Sequence, residues 1–128
     1  MSIDELCQRT RTTPRAIQWW CEKGLIECGY TADRGFRDFD LSQALTAAIV
    51  AELRAKGVSL RRIRGLGIAE ALGAYLVVQG KMAVWCGEQN VIPCIAACPG
   101  PCLVVSVEDL RKRLYDQDPP RFSRRPRN

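Results

Sequence analysis

The sequence contains no histidine among its 128 residues. Histidine is the usual general base near neutral pH and a frequent metal ligand, so its absence argues against hydrolases built on a histidine base. The sequence also shows no glycine-rich phosphate loop and no recognisable pair of nucleophile and base. We therefore predict that the protein is not an enzyme.

Long apolar runs and an export signal are missing as well. The longest uncharged stretch, residues 89–107, is interrupted by prolines and a glycine, unlike the ~20 mainly apolar residues of a membrane helix. The N-terminus carries Asp4 and Glu5, where a secretory signal carries basic residues. These features predict a cytoplasmic protein with no membrane partner.

The excess of positive charge lies mostly at one end of the chain. The net charge is +5, but the last ten residues hold four arginines and no acid, which leaves 15 basic against 14 acidic residues elsewhere. We predict that residues 118–128, rich in proline and arginine, form a disordered basic tail. Such a tail would add a salt-sensitive attraction to phosphates.

Capping signals divide the first half of the chain into four helices. The predicted caps are Ser2 (in a capping box with Glu5), Thr13 (followed by Pro14), Asp40 and Ser59. We expect Gly24 to end the second helix and Gly57 the third. Residues 30–39 combine turn residues with aromatic and charged ones, which predicts a small β-ribbon. Two short helices followed by a ribbon are typical of a winged helix-turn-helix.

These landmarks resemble, in order and spacing, the N-terminal DNA-binding domain of the MerR family of bacterial transcriptional regulators. The matching segments are residues 3–6 (IDEL), 13–20 (TPRAIQWW), 23–26 (KGLI), 34–39 (RGFRDF) and 53–64 (LRAKGVSLRRIR). The resemblance implies that residues 1–72 are a winged helix-turn-helix domain. One departure is the run Gln18-Trp19-Trp20-Cys21, where the family commonly shows Arg-Tyr-Tyr-Glu, so one expected phosphate or base contact has lost its charge.

Six residues are the predicted DNA contacts: Thr13, Arg15, Gln18, Trp19, Arg34 and Arg37. The first three lie in the opening turns of the second helix, from which they would reach the major groove. Arg34 and Arg37 would clamp the backbone or the minor groove from the ribbon. The alternative for Arg15 and Gln18 is an ordinary solvated helix surface.

Trp19 and Trp20 are neighbours on the second helix and therefore point about 100° apart. One of them is expected to face outward. The resemblance implies that the pair divides between packing and a phosphate contact, to which an indole N–H can donate. The alternative is that both are partly buried packing residues. Phe36 and Phe39 are expected in the core, because large aromatic side chains of a small domain are usually buried.

Residues 73–117 predict a small β-β-α-β-α module, which makes the whole chain α+β. Strands are expected over 75–78, 82–86 and 103–107, a short helix near Pro93 and a last helix over 108–115. Gly65, Gly67 and Gly73 disfavour the long dimerisation helix that usually follows in the MerR family. The module is instead the expected dimer surface, with candidate apolar contacts Tyr75, Val77, Trp85 and Val104.

Seven cysteines in a chain without an export signal indicate free thiols rather than a full disulfide framework. Cys86, Cys94, Cys98 and Cys102 are a candidate zinc or iron–sulfur site. Their spacing lacks a Cys-x-x-Cys pair, so we favour buried structural thiols and predict no cofactor. A reversible disulfide between Cys98 and Cys102 is a third interpretation.

The sequence thus predicts a homodimeric, sequence-specific transcriptional regulator that binds double-stranded DNA. Each chain would supply one DNA-binding domain, residues 1–72, as a reading head. Two such heads distinguish DNA sequences better than one small head can. Two alternatives remain. One is a protein-interaction module of antitoxin or adaptor type with autoregulatory DNA binding. The other is a metal or redox sensor built on the cysteines.

Overall fold

A computed structural model of the protein describes residues 1–26, 30–31, 35–36, 39–66, 68, 73–80, 82–98 and 100–116. Its elements, in chain order, are α1 (Ile3–Thr10), α2 (Pro14–Glu22), β1 (Tyr30–Thr31), β2 (Gly35–Phe36), α3 (Leu41–Ala55), α4 (Leu60–Leu66), β3 (Tyr75–Gln79), β4 (Met82–Cys86), α5 (Val91–Ala96), β5 (Leu103–Ser106), α6 (Val107–Arg111) and a final π-helical turn (Lys112–Asp116). The predicted α+β class and the β-β-α-β-α order are confirmed. Arg34, Arg37, the side chain of Phe36 and the predicted tail, residues 118–128, lie outside this description.

The predicted caps begin the helices of the first half. The Ser2 hydroxyl accepts the Glu5 N–H at 3.2 Å, and the Thr13 hydroxyl accepts the Ala16 N–H at 3.1 Å. The capping box also predicted a hydrogen bond from the Ser2 N–H to the Glu5 carboxylate. The Glu5 carboxylate instead pairs with Arg9 at 3.2 Å, one turn further along α1. The α1 cap is therefore a single hydrogen bond rather than a capping box.

The third helix has the reciprocal cap that α1 lacks. The Asp40 carboxylate accepts the Gln43 N–H at 2.8 Å, and the Gln43 side chain accepts the Asp40 N–H at 3.0 Å. Gly57 follows the helix with φ +90°, a conformation that costs glycine little. Helix α3 therefore has a defined start at Asp40 and a defined end before Gly57.

The second half is organised around a three-stranded antiparallel sheet in the order β4-β3-β5. Val77 of the central strand lies opposite Val84 on one side and Val104 on the other. The last strand ends at Ser106, one residue earlier than predicted, because the Ser106 hydroxyl accepts the Asp109 N–H at 3.3 Å and caps α6. In α5, Pro93 lies within the first turn, where a missing N–H breaks no helical hydrogen bond.

One face of the sheet belongs to the main hydrophobic core, which both halves of the chain build. Its buried members from the first half include Leu6, Ile17, Ile49, Leu53 and Ile63, and from the second half Leu76, Val78, Val105, Leu110 and Leu114. Helix α6 packs on α3, and the final turn packs on α1. Glu52 of α3 adds ion pairs to Lys56 and to Arg113, each at 3.4 Å. The helix-turn-helix and the sheet therefore share one core.

The other face of the sheet is covered by α5 and forms a smaller second core. Its buried residues are Val77, Cys86 and Val91, with Tyr75, Cys94, Ile95, Cys98, Cys102 and Val104 packed around them. One of the candidate dimer contacts is wrong, because Val77 is 4% exposed and lies within the chain's own core. Trp85 is half-buried and packs against the main core on the opposite face of the sheet. The exposed apolar side chains of this sheet are instead Met82 and Val84 on edge strand β4, at 68% and 44% exposure.

Candidate DNA interface

Helix α2 buries one face and presents the other to solvent. Ile17 and Trp20 are buried against the main core, with Trp20 only 4% exposed. Trp19 is 47% exposed, as the 100° step between neighbours requires. The expectation that one tryptophan faces outward is confirmed.

Four of the six predicted contact residues line a single groove of about 760 Å³ beside α2. They are Thr13, Arg15, Gln18 and Trp19. Arg15 and Trp19 are exposed and Gln18 is half-buried. Four of the side chains singled out from the sequence therefore share one surface.

The far wall of this groove comes from the junction of α3 and α4, where Arg54 and Leu60 lie. Sequence reasoning missed Arg54, although a basic residue in the last turn of a helix is a recognisable signal. Its guanidinium Nη1 donates to the Val58 carbonyl at 3.1 Å. That hydrogen bond orients a positive charge at the groove opposite Arg15.

A positive charge lies against the ring of the exposed tryptophan. The Lys23 ammonium lies 4.5 Å from the centre of the Trp19 ring, a distance typical of a cation–π contact. This contact restrains the indole at the end of α2 and places another cation beside the groove. The acidic residue in the groove lining is Glu22, so basic side chains outnumber acidic ones here.

Thr13 has a structural role in addition to its predicted contact with DNA. Its hydroxyl oxygen accepts the Ala16 N–H and so caps α2. The hydroxyl hydrogen is not used in that bond, and an O–H can donate to a phosphate oxygen while its oxygen accepts. The cap and the predicted contact are therefore compatible.

A second, smaller depression of about 450 Å³ lies along α4. It is lined by Ser59, Arg61, Arg62 and Gly65. Arg62 is anchored from the side, since its Nε donates to the Gly80 carbonyl in the β3–β4 turn at 2.6 Å. Both depressions are suited to a polyanion, because their charged linings are mainly arginine.

Within the described ranges, no three or more cysteine, aspartate or glutamate side chains are grouped so as to hold a metal ion. No helix in these ranges is both long and apolar enough to cross a membrane.

Comparison with known proteins identifies the first half of the chain. The model of a family described as "MerR HTH family regulatory protein" matches residues 1–66. Neither the curated proteins nor the solved structures contain a match to this chain. The family match covers more than half of the 128 residues and includes α1, α2, α3 and α4. The protein therefore belongs to the MerR family of helix-turn-helix regulators and is a DNA-binding transcriptional regulator.

Proposed function

We propose that the protein is a homodimeric regulator that recognises a specific sequence in double-stranded DNA by placing α2 in the major groove. The observation that carries this proposal is the groove that gathers Thr13, Arg15, Gln18 and Trp19 with Arg54. A regulator of this kind acts in the cytoplasm, where bacterial DNA is found, and needs no cofactor to bind DNA.

Base reading is assigned to Arg15 and Gln18. Arginine reads guanine and glutamine reads adenine through paired hydrogen bonds in the major groove. Both residues lie in the first two turns of α2, the part of a recognition helix that reaches base edges. Both also line the same groove, so they can act on neighbouring base pairs.

Phosphate contacts are assigned to the groove walls. The exposed Trp19 indole and the Thr13 hydroxyl can each donate a hydrogen bond, and Arg54 supplies charge from the opposite wall. Contacts of this kind set the register of the helix on the duplex without reading sequence. The β1–β2 ribbon acts as the wing in this proposal, and the sequence prediction that Arg34 and Arg37 clamp flanking DNA is kept as part of it.

Dimerisation is assigned to the edge strand β4. Met82 and Val84 are apolar and exposed there, and within the described part of the chain β4 pairs with another strand on one side only. An edge strand with exposed apolar residues is prone to pair with a second chain. A symmetric β4–β4 contact would join two sheets and place two reading heads on one DNA site.

The DNA assignment is tested by comparing Arg15→Ala with Arg111→Ala on a site selected from random duplexes. Arg111 is exposed on α6 and pairs with Glu108 at 3.6 Å, so its replacement removes the same charge outside the groove. Loss of a base contact costs about 1–3 kcal/mol, or about 5- to 150-fold in Kd. We expect that loss for Arg15→Ala and a near-normal Kd for Arg111→Ala. Equal affinities of the Arg15 variant and the unmodified protein would refute the assignment.

The dimer assignment is tested by sedimentation of the full chain. A charge at the centre of an apolar contact is costly to bury, so Val84→Arg should shift the protein from dimer to monomer. Leu41→Arg is the matched control, because Leu41 is 45% exposed and belongs to α3 rather than to the sheet. A dimer that survives Val84→Arg would move the interface elsewhere.

A further inference from the structure

Four cysteines converge on the second core, on the side of the sheet away from the helix-turn-helix. Cys86 ends β4, Cys94 lies in α5, Cys98 follows that helix and Cys102 precedes β5. All four are free thiols. Cys86 is only 1% exposed, whereas the other three are half-buried. The DNA-binding function uses none of them.

Two of these thiols are in direct contact. The Sγ atoms of Cys86 and Cys94 are 2.9 Å apart, with the Cys86 thiol donating to Cys94. A disulfide bond is about 2.05 Å long, so less than about 1 Å of approach separates this pair from a covalent bond. Cys98 makes a different contact, since its thiol donates to the Cys94 carbonyl oxygen at 3.4 Å.

We propose that Cys86 and Cys94 form a dithiol that hydroperoxides oxidise to an intrachain disulfide, with Cys94 reacting first. The Cys94 sulfur attacks one oxygen of the hydroperoxide, whose O–O bond breaks to leave an alcohol or water and a sulfenic acid on Cys94. The Cys86 sulfur then attacks the Cys94 sulfur and releases the sulfenic oxygen as water. The two thiols lose two electrons and two protons in total, and the hydroperoxide takes up both.

The order of the two steps follows from the geometry of the pair. Cys94 is half-buried and accepts the hydrogen bond, so an oxidant reaches its sulfur from the solvent side. Cys86 is buried, and its hydrogen bond to Cys94, its burial and the neighbouring thiols raise its pKa to about 11. Such a thiol meets an external oxidant rarely, but it is already in place to attack a sulfur beside it.

The neighbouring thiols are weaker candidates for the first step. Burial, the hydrogen bond with Cys102 and the charges of Cys102 and Cys94 raise the pKa of Cys98, which lowers its thiolate fraction at neutral pH. The four thiols also do not form a ligand set, since the described residues contain no metal-binding group of three or more such side chains. The geometry therefore supports a reacting pair rather than a metal centre.

The experiment uses the full chain, reduced, freed of the reductant and then treated with hydrogen peroxide. Cleavage after Lys81 and after Glu88 separates Cys86 from the other three cysteines of the cluster. We expect the peptide of residues 82–88 to be joined to the peptide that begins at residue 89. The joined species should be lighter than its parts by two hydrogen atoms and should separate on treatment with dithiothreitol.

Single variants identify the partner. Cys94→Ser should abolish the cross-link and leave Cys86 free to react with maleimide after unfolding. Cys102→Ser is the matched control, because it removes a half-buried thiol of the same cluster and should leave the cross-link intact. Cys98→Ser should also leave it intact.

Three results would overturn the proposal. The first is a cross-link that persists in Cys94→Ser, and the second is a disulfide between Cys98 and Cys102 with Cys86 still reduced. The third is one metal ion per chain in the protein as purified, held so that peroxide leaves all four thiols unmodified. Since none of these measurements involves DNA, they are independent of the proposed DNA-binding function.

Discussion

Replacement of Leu110 by alanine tests whether the helix-turn-helix and the sheet are one folding unit. Leu110 lies in α6, which packs on α3, and it is 2% exposed in the core that both halves build. The change removes buried methyl groups far along the chain from the MerR segment. Its effect on α1 and α3 must therefore pass through the shared core.

The expected loss of stability is large for one residue. Leucine-to-alanine changes at buried sites cost about 2–5 kcal/mol, the sum of lost burial and the cavity left behind. Leu110 is almost fully buried, so we expect about 3 kcal/mol in the free energy of unfolding. For a chain of this size that corresponds to roughly 10 °C in Tm.

The assay is urea unfolding, followed both by circular dichroism for the helices and by loss of DNA binding for the reading head. A shared core requires both signals to change together and to shift to lower urea in Leu110→Ala. Leu41→Ala is the control, since Leu41 is exposed and exposed sites cost about 0.5 kcal/mol or less. Two separate transitions, or a reading head that unfolds at its normal urea concentration, would refute the single-core reasoning.

Four further predictions follow from individual contacts. Asp40→Ala removes the acceptor of the α3 capping box and should cost about 1 kcal/mol in urea unfolding, whereas Asp40→Asn should cost less. Arg54→Ala should weaken binding to specific and random duplexes alike and make the dependence of log Kd on log salt shallower by about one phosphate contact. Trp19→Ala should weaken DNA binding more than Trp19→Gln, which keeps a side-chain N–H donor. Folding raises the pKa of Cys86 from 9.0 to about 11. The thiol therefore contributes to the free energy of unfolding below pH 9, and this contribution is lost as the pH rises toward 11. In a Cys86→Ala variant the free energy of unfolding should fall less steeply over this pH range.

Much of the first half could be predicted because its signals are local. A cap needs only a few consecutive residues, so Ser2, Thr13 and Asp40 mark helix starts in the sequence and in the structure. The division of Trp19 and Trp20 follows from helix geometry alone. Contacts across long separations are different, because the sequence does not state which surfaces meet.

The errors and omissions of the sequence reasoning fall on such long-range contacts. Strand alternation predicts that Val77 faces the opposite side of the sheet from Leu76 and Val78. The sequence does not say which side α5 covers. Because α5 covers the side of Val77, this residue is buried and is not a dimer contact. Arg54 became part of the groove only because α3 and α4 bring it beside α2. The contact of Cys86 with Cys94 likewise depends on α5 folding back over the sheet.

The second half of the chain completes the core beneath the helix-turn-helix. Side chains of the central strand β3 alternate between the two faces of the sheet. Leu76 and Val78 pack in the main core, while Val77 packs in the second core with Cys86. The turn after β3 is tied to α4 by the hydrogen bond from Arg62 to the Gly80 carbonyl. The β4–α5 junction and the DNA-binding half are therefore joined through β3, which packs in both cores, and through the turn after it.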